Sequence, residues 1–155
     1  MPKTVAHLVI VALVSLGAAI PVAYAVCLDP KTRMSGYQVP LNKEIQSINV
    51  IAIGTVTKEQ PLHEDSSDPE GITAYIYTVE ILRQLKGRLP QVIDMRTEND
   101  SGRYSMEVGE RHLLFLSKEG QNFIADSCGN SSVLPAGNAT LKKVQSRLAG
   151  RSNVP

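Results

Sequence analysis

The 155-residue chain has no tryptophan, and only 5% of its residues are aromatic. Such a composition excludes the broad aromatic surfaces on which bases stack. After residue 25 no apolar run approaches the length of about 20 residues that a membrane-spanning helix needs. The chain also lacks an excess of either charge, since without Lys3 it has 15 basic and 15 acidic residues. This balance argues against nucleic-acid binding and against docking on anionic membranes, because both need a basic surface.

Residues 1–25 have the three parts of a secretory signal peptide. Lys3 supplies a positive start, and residues 8–20 are almost wholly apolar. The segment Ala23-Tyr24-Ala25 then places small residues at the two positions that a signal peptidase reads. We expect cleavage after Ala25, so that the mature protein is secreted or periplasmic, with no transmembrane segment left after cleavage.

The rest of the chain is of a size that forms one domain, which we place at residues 26–148 and follow with a tail at 149–155. Short helices are expected at residues 39–47 and after Asn138, which is suited to cap the second one. Strands rich in Ile, Val and Thr are expected at residues 49–59, 72–85, 90–97, 110–117 and 121–126.

No connection between these strands is long enough for a crossover helix, so antiparallel pairing is expected. Gly54, inside the first strand, predicts a bulge or a sharp bend. The pattern therefore predicts an all-β fold with small helices: a five-stranded antiparallel barrel of the OB type with a C-terminal helix. A five-stranded sheet backed by two helices is the alternative.

Only two cysteines, Cys27 and Cys128, are present. In an exported chain an isolated pair predicts one disulfide. Closing a loop of about 100 residues contributes roughly 4.7 kcal/mol in the chain-entropy model. Cys27 has a second interpretation as the lipid-bearing residue of a lipoprotein. However, lipoprotein signals have a large aliphatic residue where Tyr24 stands and a small one where Val26 stands.

The remaining candidates for chemistry have plainer explanations. The loop at residues 60–71 contains His63, Glu64, Asp65, Asp68 and Glu70, an oxygen-rich set that suits calcium, but an exposed hairpin tip explains the same composition. His112, in an apolar strand, is expected to be a structural histidine bonded to a neighbour. With so few histidines in the mature chain, a His-rich zinc site is not expected.

The sequence offers no candidate for a catalytic site. No G-x-S-x-G motif is present. The carboxylates of Glu80 and Asp94 are expected to pair across strands with Arg83 or Arg96 on a solvated sheet face. We therefore expect no catalytic residues, no cofactor, no metal and no small-molecule ligand.

Four segments, in order, resemble the netrin-like fold of the tissue inhibitors of metalloproteinases. The segment IAIGTV resembles its opening strand, and YTVE with the later LKG resembles its second strand and Lys-Gly turn. VGER followed by LLFL resembles its "G-x-x-Y-L-V-F" strand, with His112 where tyrosine is usual. DSCG has a cysteine where the family places one after the last barrel strand. The similarity extends from Cys27 to about Leu148.

This resemblance implies a protein-binding function, with a metalloprotease as the candidate partner. The family's inhibitors chelate the catalytic zinc through the α-amino nitrogen and carbonyl oxygen of an N-terminal cysteine. The corresponding binding edge here is Val26, Cys27, Leu28 and Asp29. After cleavage behind Ala25, Val26 would turn the Cys27 nitrogen into an amide, which is a poor zinc ligand.

Two further features of the inhibitors are missing, because Cys27 is followed by no Cys-x-Cys pattern and residues 101–108 contain no cysteine. We expect an exported, non-catalytic protein-binding module, with the 60–71 loop and the Gly120 turn beside the edge. The alternative is a structural or accessory protein of the envelope or the extracellular space.

Overall fold

A computed structural model describes residues 27–151. The predicted signal peptide at 1–25, the predicted edge residue Val26 and the last four residues of the predicted tail lie outside the described residues. The described part contains these elements: α1 (Leu41–Ser47), β1 (Val50–Leu62), β2 (Ala74–Lys86), β3 (Val92–Glu98), β4 (Arg111–Glu119), β5 (Asn122–Ile124), β6 (Ser132–Val133) and α2 (Asn138–Arg151).

Five of the strands close into a ring, which confirms the predicted barrel with its C-terminal helix. The order around the ring is β1-β2-β3-β5-β4, and β1 pairs with β4 to complete it. One pairing corrects the prediction, because β3 and β5 run parallel where Met95 meets Phe123. A closed ring with an odd number of strands cannot alternate direction all the way round, so one neighbouring pair has to be parallel.

Strand β1 bends at Gly54, as predicted. The register between β1 and β2 shifts between Ile53 and Gly54, which marks a bulge. A Cβ atom on Gly54 would lie 2.5 Å from Cγ1 of Val79 and 3.0 Å from the carbonyl oxygen of Glu80. The glycine is therefore required by the close approach of β2.

Strand β4 is buried on both faces and divides two hydrophobic clusters. Leu114 and Leu116 point into the barrel, where they pack with residues of all the long strands. Leu113 and Phe115 point outward into a second cluster formed with α1 and α2. This arrangement explains why the β4 sequence is almost continuously apolar rather than alternating.

Most elements depart from the prediction by one or two residues at their ends, and three departures are larger or add an element. Strand β1 continues to Leu62, because its hairpin pairing with β2 extends to that residue. Strand β6 (Ser132–Val133), absent from the prediction, is a two-residue pairing with β4 and has no periodicity of its own. Helix α2 continues to Arg151, so residues 149–151 of the predicted tail are helical.

Lys86, at the end of β2, anchors helix α1 to the barrel. Its ammonium group donates a hydrogen bond to the carbonyl oxygen of Ile45 at 2.8 Å and another to that of Ile48. A cation at the C-terminal end of a helix interacts favourably with the carbonyl groups left free there. This contact fixes the C-terminal end of α1 to the end of β2.

Candidate functional site

Cys27 and Cys128 form the predicted disulfide, with their Cα atoms 5.5 Å apart. The bond indicates an oxidising compartment, extracellular or periplasmic. It also leaves no thiol on Cys27 for a lipid, which corrects the lipoprotein alternative. Within residues 27–151, no helix combines the length and the apolar character that crossing a bilayer requires.

The disulfide anchors to the barrel the first residue of a short hairpin, residues 27–37, which we call the N-terminal hairpin. Leu28 pairs with Ser35 in an antiparallel bridge. The N–H of Tyr37 donates to the carbonyl oxygen of Cys27 at 3.0 Å. The two arms are therefore held together by backbone hydrogen bonds, and one arm is bonded covalently to the barrel.

The turn of this hairpin is organised by Asp29. Its carboxylate accepts hydrogen bonds from the backbone N–H groups of Thr32 and Lys31, at 2.8 and 2.7 Å. These bonds lower the pKa of Asp29 below its ordinary value. The N–H of Asp29 donates to the carbonyl oxygen of Met34, and Arg33 has a positive φ of 61°. The predicted edge residue Asp29 is thus a turn-forming residue.

The N-terminal hairpin exposes two large apolar side chains. Leu28 is 45% exposed and Met34 is 70% exposed. Sequence reasoning placed Leu28 on the binding edge and missed Met34, because only the turn returns Met34 to the vicinity of Leu28. The Asp at position 29, followed by a proline and polar residues, was the available signal for that turn.

A buried polar contact that the sequence did not predict joins α1 to the segment that follows Cys128. The carboxylate of Glu44 accepts from the backbone N–H and the side-chain amide of Asn130, at 2.9 and 2.5 Å. Burial raises the pKa of Glu44, and the hydrogen bonds from Asn130 oppose that rise. The Val39 N–H also donates to the carbonyl oxygen of Cys128 at 2.8 Å, so the segment entering α1 is tied to the disulfide.

The other two parts of the predicted edge, the 60–71 loop and the Gly120 turn, both lie beside Arg96. Arg96 bonds to the 60–71 loop, and it lines a cavity of about 460 Å³ together with Glu119 and Asn122, which flank the Gly120 turn. The hydrogen bonds and the bridge of residues 27–29 run instead to residues 31–37. The structure therefore brings the loop and the turn together around Arg96.

Arg96 does not pair with Glu80 or Asp94, so the predicted cross-strand pairing is wrong for this arginine. Its guanidinium contacts Glu64 Oε2 at 2.7 Å and Glu98 Oε1 at 2.6 Å. Glu98 lies two residues along the same strand face, and Glu64 reaches Arg96 because the 60–71 loop folds back over β3.

The acidic 60–71 loop makes its own internal contacts. Nδ1 of His63 lies 3.1 Å from the carbonyl oxygen of Gly71. Asp65 accepts from Ser67, and Asp68 accepts from the N–H of Gly71. In the part of the chain that the structure describes, no group of three or more His, Cys, Asp or Glu side chains is arranged to hold a metal ion.

His112 is the structural histidine that the sequence predicts. It is 2% exposed, and its Nδ1 accepts from the hydroxyl of Tyr104 at 2.9 Å. Its Nε2–H then donates to Glu110 Oε2 at 3.0 Å. Burial lowers the pKa of His112 below its ordinary value, although Glu110 acts in the opposite direction. Burial therefore favours the uncharged ring, and both of its nitrogens have hydrogen-bond partners inside the wall of the barrel.

Comparison with protein-family models gives no match for this chain, and comparison with curated proteins gives no significant match.

Proposed function

We propose that this chain is an exported, non-catalytic protein-binding module that contacts its partner through the N-terminal hairpin. The observation that carries this proposal is the exposure of Leu28 and Met34 on a hairpin that a disulfide anchors to the barrel. Covering apolar surface is favourable in water, so this pair gains free energy when a partner buries it. Because the turn and the disulfide already order the hairpin, binding costs little additional conformational entropy.

A zinc metalloprotease is the specific partner that the family resemblance suggests. Chelation by Cys27 would need its nitrogen as a free amine and its carbonyl oxygen as a ligand. The N–H of Tyr37 already donates to that oxygen, and a carbonyl oxygen has a second lone pair for a metal. Inhibition therefore depends on whether processing removes Val26.

Site-specific crosslinking tests the binding surface. A photoreactive amino acid would replace Met34 in the exporting cells, and a matched variant would carry it at Lys142, which is exposed on α2. We expect a discrete protein adduct from position 34 and none from position 142. The double variant Leu28→Asp with Met34→Asp, made in the wild-type protein without the photoreactive amino acid, should bind the partner identified in this way more weakly. No adduct at position 34, or equal adducts at both positions, refutes the proposal.

Intact-mass measurement of the exported protein, followed by inhibition assays on zinc metalloproteases, tests the finer proposal. A chain that begins at Cys27 and inhibits such an enzyme would support it. A chain that begins at Val26, or a chain that begins at Cys27 without inhibiting, removes metalloprotease inhibition and leaves the crosslinking result to decide the broader proposal.

A further inference from the structure

Helix α2 covers only part of the outer face of the barrel. Its apolar residues pack over β1 and β4, in the cluster that contains Ile51 and Phe115. Around the first turn of the helix, which begins at Asn138, the face remains open as a groove of about 770 Å³. The apolar side chains that line the groove are Ile53, Leu82, Val133, Leu134, Pro135 and Leu141.

Leu82 is exposed in this groove because of the bulge in β1 and β2. Ile53 pairs with Arg83, and the next residue, Gly54, pairs with Ile81, so Leu82 has no partner across the two strands. Its side chain is 48% exposed although it lies within a 13-residue strand. The distortion that fits β2 against Gly54 thus also presents an apolar side chain to solvent.

Two arginines lie on either side of the groove. Arg83 lies opposite Ile53 on β2, and Arg111 lies opposite Thr55 on β4, so one arginine is on each side of β1. Strand spacing and residue rise place their Cα atoms about 12 Å apart. Both side chains are exposed, and within residues 27–151 neither forms a salt bridge or a side-chain hydrogen bond.

One carboxylate, that of Glu110, also lines the groove. Its Oε2 atom already accepts from the backbone N–H of Glu107 at 2.9 Å and contacts Nε2 of His112 at 3.0 Å. The charged groups that line the groove are therefore two guanidinium groups and one carboxylate, which leaves a net positive charge that is complementary to an acidic ligand.

We propose that this groove binds an extended segment of a partner protein in which two carboxylates flank a short apolar stretch. The carboxylates would pair with Arg83 and Arg111, and the apolar side chains would cover Leu82 and the floor of the groove. In an extended chain, a separation of about 12 Å corresponds to three or four residues. Two arginines in a chain without excess positive charge suit such a segment better than a polyanion.

This surface shares no residue with the N-terminal hairpin, so it constitutes a second contact and does not depend on the function proposed above. Peptide selection tests it. The oxidised protein would be used to select binders from a phage-displayed library of random peptides, and the enriched peptides would be synthesised and titrated. We expect the enriched peptides to have one acidic residue on each side of a short apolar stretch.

The charge-reversed double variant Arg83→Glu with Arg111→Glu should weaken these peptides at least about tenfold, since two attractions become repulsions. Peptides with lysine in place of the acidic residues should bind that variant better than the original. The matched control is Arg88→Glu with Arg147→Glu, which makes the same change in net charge at exposed positions outside the groove.

No enrichment of such peptides, or equal weakening by the control pair, overturns the proposal. Peptides whose binding is lost with Met34→Asp and kept in the arginine variant also overturn it, because they would map to the N-terminal hairpin. All four arginines are exposed, so thermal unfolding of each variant should match the wild type and show that the fold is retained.

Discussion

Glu44 and Asn130, which are 86 residues apart in the chain, share two buried hydrogen bonds. Glu44 belongs to α1, and Asn130 follows Cys128 by two residues. The side-chain amide of Asn130 also donates to the carbonyl oxygen of Val39 at 2.8 Å. These contacts join α1, the segment that leads into it and the segment that follows the disulfide-bonded Cys128.

Replacing Glu44 with alanine should lower the free energy of unfolding by about 1–3 kcal/mol, because buried donors of Asn130 lose their acceptor. Urea denaturation followed by circular dichroism measures the loss. Lys43→Ala is the control, since Lys43 is exposed on the same helix and should change stability little. An equal effect of both substitutions would contradict the structural role of Glu44.

Breaking the disulfide should lower the free energy of unfolding by roughly 4.7 kcal/mol at most, because the unfolded chain regains the conformational freedom that the closed loop removed. The residues that form the bond are 101 positions apart. Calorimetry of the double variant Cys27→Ser with Cys128→Ser should show a melting temperature lower by more than about 10 °C.

Loss of the bond should also release the N-terminal hairpin, so that trypsin cleaves after Lys31 and Arg33 faster than in the oxidised protein. An unchanged melting temperature in the double variant, with unchanged cleavage, would count against this account of the hairpin.

His112 should make the fold sensitive to acid. Its pKa in the folded protein lies below 6.5, its ordinary value, because burial disfavours the charged ring. As the pH falls below 6.5, His112 takes up a proton in the unfolded chain before it does so in the folded protein. The contribution of this residue to stability is therefore lost as the pH falls from 6.5 to the lower pKa of the folded state.

His112→Gln lacks this titration. The difference in unfolding free energy between the wild type and this variant should therefore shrink from about pH 7 to about pH 5. An NMR titration of the ring measures the pKa directly, and a value at or above 6.5 would show the reasoning to be wrong.

Gly54→Ala should destabilise the barrel by about 1–3 kcal/mol, because the added methyl group meets Val79 and the backbone of Glu80. Gly150→Ala is the matched control in α2, where a Cβ atom meets nothing within 4 Å. That change should leave stability equal or slightly higher, since alanine favours a helix. Thermal melts of both variants and the wild type should show a lower melting temperature for Gly54→Ala and an equal or slightly higher one for Gly150→Ala.

Local patterns were sufficient for the long strands, for the final helix and for the structural assignment of His112. Each of these depends on alternation, spacing or capping within a few residues. Local patterns missed Met34, β6 and the burial of Glu44. Met34 is placed by a turn, β6 by its pairing with β4, and Glu44 by a partner far along the chain. None of these determinants produces a periodic pattern of residues in the sequence.

The amino-acid sequence by itself determined that two isolated cysteines would pair and that five strands, bent at a glycine, would form a small barrel. Those conclusions follow from residue type and short-range spacing. Only the tertiary structure decided that one strand pair runs parallel, that Arg96 bonds to the acidic loop, and that α2 leaves a groove between Arg83 and Arg111. Ring closure and burial bring together residues that are distant in the chain, and their geometry exists only once the barrel is closed.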